Sequence, residues 1–494
     1  MMFNKYKLHP VSAVINFLKG LKELIFPFII LLVANGFNVS ENRNDFWEYV
    51  PLLIFLVILI IYLAAGIIKW WTFVYWFEDN ELRVEYGLFV KKKRYIPFDR
   101  IQSFNYKEGI FHRIFGLVQV MVETAGSTDG EPEVILTAIT KEAAKQVEKE
   151  TRKVNNGEAD ESFEENLSEV QEFKLIHKMS TKDLLLLATT SNSVGVVIAG
   201  VAAAISQVAE FIPFDWIFEE LAAFMQFGIV IVTFTIFVAF IFAWVLSVII
   251  TFISYYDFTV IQEKDRFIIT RGLLEKKRIT IPNNRVQAIK IVENPFRQMI
   301  RCATVVVESA SGGFGEKDQK ITLFPLISKR EMYEPLQQLF PHFIFQQDQF
   351  IRPTKKARPF YYRIKLLLLI PIIILSSYFL FPLGLISIIL VVPVLLLGIW
   401  QYKSDGFAIC GNQLMLRYRI INRVTFIVEK KRIQALESKQ SYFQKRKNIS
   451  SVQVTVMSGI AGTSAKVPHL KETDINMVLS WFERSSLTKE ESAK

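Results

Sequence analysis

Cysteine and histidine are scarce in this chain: two cysteines, Cys302 and Cys410, and five histidines in 494 residues. So few thiols exclude a disulfide framework and a zinc ribbon, and they fit a reducing compartment. The histidines, at 9, 112, 177, 342 and 469, lie too far apart in sequence for a local metal motif. Also missing are a Ser–His–acid order at a nucleophile elbow and a nucleotide fingerprint. Ser311-Gly312-Gly313-Phe314-Gly315 resembles a phosphate loop but lacks the Gly-Lys-Ser/Thr ending. The expectation is no enzyme, no cofactor and no metal. A cleavable signal peptide is not expected either. Lys5 and Lys7 precede His9-Pro10, and the apolar run begins late, without a small-residue cleavage pattern.

Apolar sequence is what the chain has in quantity. It is 51% hydrophobic, with a mean hydropathy of +0.28, more than small soluble cores can absorb. Six stretches approach the 20 or so apolar residues that a bilayer core requires: about 16–36, 49–69, 184–206, 227–250, 364–381 and 383–400. The first carries Lys19, Lys22 and Glu23 and reads as amphipathic at its start. The third carries Thr189-Thr190-Ser191-Asn192-Ser193 and then small residues, a composition suited to interhelical hydrogen bonds and close helix contact. No Asp, Glu, Lys, Arg or His sits in the apolar centre of any stretch, which speaks against ion-coupled transport.

These spans come in pairs joined by short loops, and every long polar block follows the second member of a pair. An even number of crossings puts the three blocks on one side. The net charge is +10, from 58 Lys+Arg against 48 Asp+Glu. Of the short loops, the first has only Arg43 and the second is acidic (Glu210, Asp215, Glu219, Glu220), so the positive-inside rule makes the block side cytoplasmic, with both termini. Aromatic residues recur where the even spans end: Trp70, Trp71, Tyr75 and Trp76, then Tyr255 and Tyr256, then Trp400 and Tyr402.

An internal repeat organises the rest. Shifted by 185 positions, Gly87, Leu88, Lys91, Lys92, Ile96, Pro97, Arg100, Gln102 and Phe111 meet identical residues in the second block, as do Val120, Val122, Glu123 and Ala125. A fainter third copy matches Arg432-Ile433-Gln434 to Arg100-Ile101-Gln102, Phe443 to Phe111, and Val452 and Val454 to Val120 and Val122. It has Glu429 in place of the proline and Arg419 in place of the glycine. Period-two alternation marks strands (Leu82–Tyr86, Val118–Glu123, Thr304–Glu308, Ser451–Val456), with turns at Asp79-Asn80, Lys264-Asp265 and Gly411-Asn412. A helix is expected to end each copy, over Thr140–Lys153, Ser328–Phe340 and Lys471–Arg484.

The segment Ile-Pro-x-x-Arg-Val-Gln at Ile281–Gln287, and its counterpart Ile96–Gln102, resembles the signature of bacterial pleckstrin-homology domains of the second type (bPH2). The paired spans resemble the multi-copy membrane members of that family, of the YdbT-like kind. The resemblance implies a curved antiparallel sheet closed by a C-terminal helix, and it implies little about activity.

The expected fold is thus an α+β membrane protein: six transmembrane helices in three pairs, each pair followed by a PH-like β domain with a C-terminal helix. The expected division is a helix pair over 1–71, a domain over 72–153, an acidic linker over 154–182, a pair over 183–254 and a domain over 255–340. A linker over 341–363, a pair over 364–402, a domain over 403–484 and a disordered tail over 485–494 complete it.

Candidate contact residues are the basic clusters Lys91-Lys92-Lys93-Arg94, Lys276-Lys277-Arg278 and Lys430-Lys431-Arg432, with Arg100, Arg285 and Arg432 of the repeated triplet. Beside an anionic leaflet each base contributes about 1 kcal/mol; the plainer readings are solvated strand edges that discourage aggregation and fold-encoding turns. The glycine- and serine-rich segments Ala125–Gly130, Ser309–Gly315 and Ser458–Gly462 each follow a strand and read as hairpin loops. The functional expectation is a non-catalytic scaffold in the cell membrane, in envelope maintenance or tolerance to membrane-active peptides. Its expected partners are membrane lipids and, as a homo- or hetero-oligomer, another PH-like membrane protein, with no nucleic acid. The alternatives are a transporter or channel component, or an unrecognised lipid-modifying enzyme.

Overall fold

The computed structural model describes residues 5–34, 50–88, 90–124, 132–155, 173–191, 199, 229–310, 320–345, 349–379, 381, 383–458 and 462–491. Among these residues, twenty strands form three domains. The first uses β1 (Tyr6–Lys7), β2 (Val74–Glu78), β3 (Glu81–Tyr86), β4 (Lys92–Pro97), β5 (Ile101–Glu108), β6 (Leu117–Thr124) and β7 (Val134–Thr140). The second uses β8 (Lys174–Lys178), β9 (Thr259–Glu263), β10 (Arg266–Arg271), β11 (Lys276–Pro282), β12 (Val286–Glu293), β13 (Cys302–Ser309) and β14 (Lys320–Ser328). The third uses β15 (Gly406–Cys410), β16 (Gln413–Arg419), β17 (Arg423–Glu429), β18 (Ile433–Lys439), β19 (Ile449–Val456) and β20 (Thr463–Lys471).

Each domain is two antiparallel half-sheets around one core. In the first, Leu82, Val84 and Ile96 of the leading half meet Val120, Val122 and Leu136 of the trailing half, with Val147 of the closing helix Lys141–Asn155 above them. Each such side chain stabilises the fold by about 1.5–3 kcal/mol. The turn at Asp79-Asn80 has both residues at positive φ, 52° and 60°, matching the twist of the β2–β3 hairpin.

The sheets cross domain boundaries. Strand order is β7-β6-β5-β11-β10-β9-β8 in one sheet and β14-β13-β12-β17-β16-β15 in the next, so the trailing half of each domain continues into the leading half of its successor. The cores cross too: Ala408, Met415 and Ile427 of the third domain belong to the hydrophobic cluster of the second.

Four helical segments among the described residues are long and apolar enough to cross a membrane: Leu53–Thr72, Phe237–Tyr255, Lys355–Phe379 and Gly384–Ser404. The helix Val11–Ala34 runs through the first expected span. Its contact with Val50–Thr72 is close, since a methyl added to Gly66 would stand 3.0 Å from the Ala13 carbonyl oxygen. Of the third expected span, only the start lies within a described helix, Thr181–Thr189. Its Leu184 and Leu187 enter the core of the second domain instead of facing lipid.

Several expectations need correction. The stretch 154–182 is not all linker, because Lys174–Lys178 pairs with β9 and Ser180 caps the helix that follows. Within 341–363, Ile351 bridges to Phe407, and Phe343 and Phe345 are buried. Tyr75 and Trp76 are buried in β2, not placed in an aromatic belt. Ser328 ends β14 opposite Cys302, so the second closing helix is shorter than expected, Tyr333–Leu339. The third, Glu472–Glu491, runs well into the tail expected to be disordered; Leu487, Lys489 and Glu490 propagate a helix already nucleated upstream.

Candidate functional site

Polar chemistry concentrates where one domain meets the next. At the first junction β5 pairs with β11, with Glu108 opposite Lys276, Lys107 opposite Lys277 and Tyr106 opposite Arg278. Two lysines facing each other repel. Glu275 relieves this, 2.7 Å from the Lys107 ammonium and 3.1 Å from that of Lys277. Burial acts to raise the Glu275 pKa, but the hydrogen bonds and charges of the two lysines win and hold it below the usual carboxylate range. Asn105 Oδ1 accepts from the Thr280 amide at 3.1 Å, and the Arg278 guanidinium lies over Tyr106.

Behind this seam sits Glu123 of β6, buried, accepting from Ser103 Oγ at 2.9 Å and Asn105 Nδ2 at 2.7 Å. Burial raises its carboxyl to about 7, against those two donors and the charge of Arg285 from the second domain. The alternation Val118–Glu123 reads as a half-solvated strand, yet every position of β6 is buried. The junction and the helix Val11–Ala34, through Ile15 beside Leu117, cover what the pattern assigns to water.

The second junction pairs β12 with β17 over six residues, with Glu293 opposite Arg423. In the repeat register Glu293 is Glu108 and Arg423 is Lys276, so the two junctions share one register. Glu293 is 2.6 Å from Arg423 and 2.5 Å from Lys329. These three line a cavity of about 190 Å³ with Arg417, whose pKa burial lowers to about 10 and whose guanidinium stacks 3.7 Å from the Phe350 ring. Glu308, the counterpart of Glu123, is fully buried, 2.6 Å from Lys290 Nζ. It also accepts from Ser458 Oγ at 2.6 Å and Thr463 Oγ1 at 3.1 Å, both in the third domain.

The candidate bases meet different fates. Lys276, Lys277 and Arg278 are taken up in the β5–β11 seam. Lys430, Lys431 and Arg432 form a tight 3-10 turn, where Lys430 donates to the Trp481 carbonyl, Lys431 pairs with Glu429 at 3.0 Å and Arg432 donates to the Asn284 carbonyl at 2.6 Å. Lys92, Lys93 and Arg94 lie exposed on β4, which ends its sheet; Lys91 stands just before it, 3.7 Å from Glu85, and Arg94 meets Glu133. The triplet arginines split the same way. Arg285 faces Glu123 of the preceding domain and Arg432 reaches Asn284 of the preceding domain, while Arg100, in the first described domain, stands exposed. At the other end of the array β18 is likewise an edge strand.

In the third expected span, Ser191 Oγ meets Thr251 Oγ1 of the helix Ile229–Tyr255 at 3.3 Å, and Thr190 receives Asn294 Nδ2 at 2.7 Å. Asn192 and Ser193 lie outside the described residues, as do 125–131, 311–319 and 459–461 of the three hairpin loops. Glu108, Glu293 and Arg423 escaped sequence reasoning, which marks Glu123 and Glu308 only as repeat residues. The signal was present: the same 185-residue shift superposes Glu108 on Glu293 and Glu123 on Glu308.

A family model described as Bacterial PH domain matches residues 26–154, 184–339 and 367–485. The chain is 35% identical over 495 residues to the UPF0699 transmembrane protein YdbT of Bacillus subtilis (strain 168), covering 98% of this chain and 99% of that one. No solved structure matches. This chain belongs to the bacterial PH domain family and carries three copies of the domain alongside membrane-spanning helices.

Proposed function

We propose that the chain is a non-catalytic membrane scaffold. Six spans in three pairs hold the three PH-like domains on the cytoplasmic face as one array, and its two open sheet edges take further PH-like units. The observation that carries this reading is the shared register of the two junctions, Glu108 opposite Lys276 and Glu293 opposite Arg423. A seam used twice at one register is a general coupling between units. Domains that share a sheet must also lie on one side of a membrane, which supports the one-sided topology; the Lys/Arg bias supports the cytoplasmic side.

Carried through the repeat to the open edges, the same register sets Lys91 opposite Gln440 and Arg94 opposite Glu437. Strand addition at such edges is a common mode of recognition, and pairing unlike edges head to tail gives a ring or an open row. The test uses a full-length background with both free thiols, Cys302 and Cys410, replaced by Ala. Chains carrying Arg94→Cys and chains carrying Glu437→Cys are co-expressed and oxidised in native membranes. The mixture is expected to give a cross-linked dimer and either chain alone none. A native mass of one chain with no co-purifying protein would remove the basis for the scaffold. A complex without this cross-link would retain the scaffold and reject the edge.

A further inference from the structure

We propose that the membrane-facing rim of the array dips into the interfacial layer of the bilayer through a repeated set of apolar hairpin tips and short helices, so that the domains bind lipid directly. This surface is separate from the sheet edges and stands or falls apart from the scaffold reading.

Each domain follows its first long strand with a turn that carries large apolar residues. Leu88 and Val90 in the first domain, Leu274 in the second, and Ile420 and Ile421 in the third are all exposed. In the second and third domains these tips are fastened to the end of a spanning helix. The Leu273 amide donates to the Ile253 carbonyl at 2.9 Å, and Gln401 Nε2 donates to the Ile420 carbonyl at 2.7 Å. Arginines flank both attachments: Arg271 lies over Tyr255, and Arg419 stacks 3.8 Å from the Trp400 ring. Aromatic rings with arginines at helix ends mark the level of the lipid headgroups.

The short helices lie at the same level. Ile110–Ile114, Pro295–Met299 and Tyr442–Lys445 occupy one position in the repeat. Each carries the repeated phenylalanine outward: Phe111 is 45% exposed, Phe296 68% and Phe443 61%. The first helix reaches the second tip through Arg113, which donates to the Leu273 carbonyl at 2.7 Å. The second reaches the third tip through Gln298, which accepts from Arg419 at 3.0 Å. The third contacts His469 through Gln444 at 2.8 Å, and His469 lies against Phe360 and Tyr361 where the Lys355–Phe379 span begins.

Aromatic side chains left out of a core at one repeat position, three times, each on a short helix tied through a tip or His469 to the end of a spanning helix, form an apolar surface that water alone does not explain. Bases next to the apolar residues of the last helix, Arg446 and Lys447, suit an anionic leaflet. An amphipathic surface of this kind settles about 5–10 Å into the boundary between headgroups and acyl chains.

The test places one nitroxide at a time at Phe111→Cys, Phe296→Cys, Phe443→Cys or Ile420→Cys in the full chain with Cys302 and Cys410 replaced by Ala. Each protein is reconstituted in phosphatidylglycerol–phosphatidylethanolamine vesicles. Lys264→Cys, at the opposite end of β10 from the second tip, is the reference in water. Relative collision with oxygen and with a water-soluble nickel chelate gives depth. The four labels are expected about 5–10 Å below the phosphates, and the label at 264 in water. Labels as open to nickel as the one at 264 would overturn the proposal. So would labels closed to both reagents, which would mean cover by protein.

Discussion

At the scale of single residues, the junction carboxylates carry the most consequence, and Glu123 is the one whose charge is contested. Its folded pKa, about 7, lies above the ordinary value of 4.5. Between those values the folded chain holds more protons than the unfolded one, so the contribution is complete below pH 4.5 and is lost as pH rises through 7. At about 1.4 kcal/mol per pH unit the ceiling is about 3 kcal/mol. Glu123→Gln imitates the protonated carboxyl and keeps both acceptor and size. The variant is expected to melt with the parent at pH 4 and above it at pH 8. Thermal unfolding at both values checks this, and other groups near the seam, Arg285 included, cancel in the difference between the chains. Equal melting at both values would mean that the carboxyl is ionised in the fold like any other. Sequence reasoning marked Glu123 as a repeat residue but could not see its burial. A carboxylate in an alternating strand looks solvated, and its cover arrives from a domain 185 residues away.

At the scale of elements, the hairpin tips show what the repeat does make legible. Gly87 and Gly272 hold φ of 105° and 107°, and a methyl there would stand 2.2 Å and 2.1 Å from the carbonyl oxygens of Val90 and Glu275. Gly116 also has positive φ, 64°, but nothing lies near its missing methyl. Gly272→Ala is therefore expected to cost about 1–3 kcal/mol and Gly116→Ala about 1 kcal/mol, read by denaturant unfolding of the solubilised chain. An equal cost at both sites would mean that the close carbonyl contributes nothing. The third copy has Arg419 at the equivalent position, and its side chain is held by Trp400, Ser404 and Gln298. The strands, their turns and the first closing helix were legible because local pattern and glycine chemistry specify them. The added strands β1 and β8 were not. Two and five residues carry too little pattern, and their pairing is set by the helices that separate them from their partners.

For the whole molecule, the order of the units was legible in the sequence and their coupling was not. Hydropathy locates the four helices long and apolar enough to cross a membrane and the 185-residue shift finds the repeat, but no local pattern tells an outer strand which distant strand it will meet. The shared sheets give a direct expectation for topology. In the chain lacking Cys302 and Cys410, single cysteines at Asp79, Lys264 and Asn412, one hairpin turn per domain, are expected to react with a membrane-impermeant maleimide only after the cells are opened. Labelling of any one of them in intact cells would place that domain outside and contradict each seam that joins it to a neighbour.

The short strands ahead of the spans have one more implication. Lys7 lies opposite Val74, and Lys178 opposite Thr259. The backbone that departs toward the bilayer and the backbone that comes back are hydrogen-bonded neighbours. In the first two units, the greasy segment is therefore the loop of an oversized β-hairpin, a detour whose two feet already touch. Such a detour can be lengthened, shortened or exchanged without altering the sheet beneath it, so the membrane part and the domain part of each unit are free to diverge at different rates.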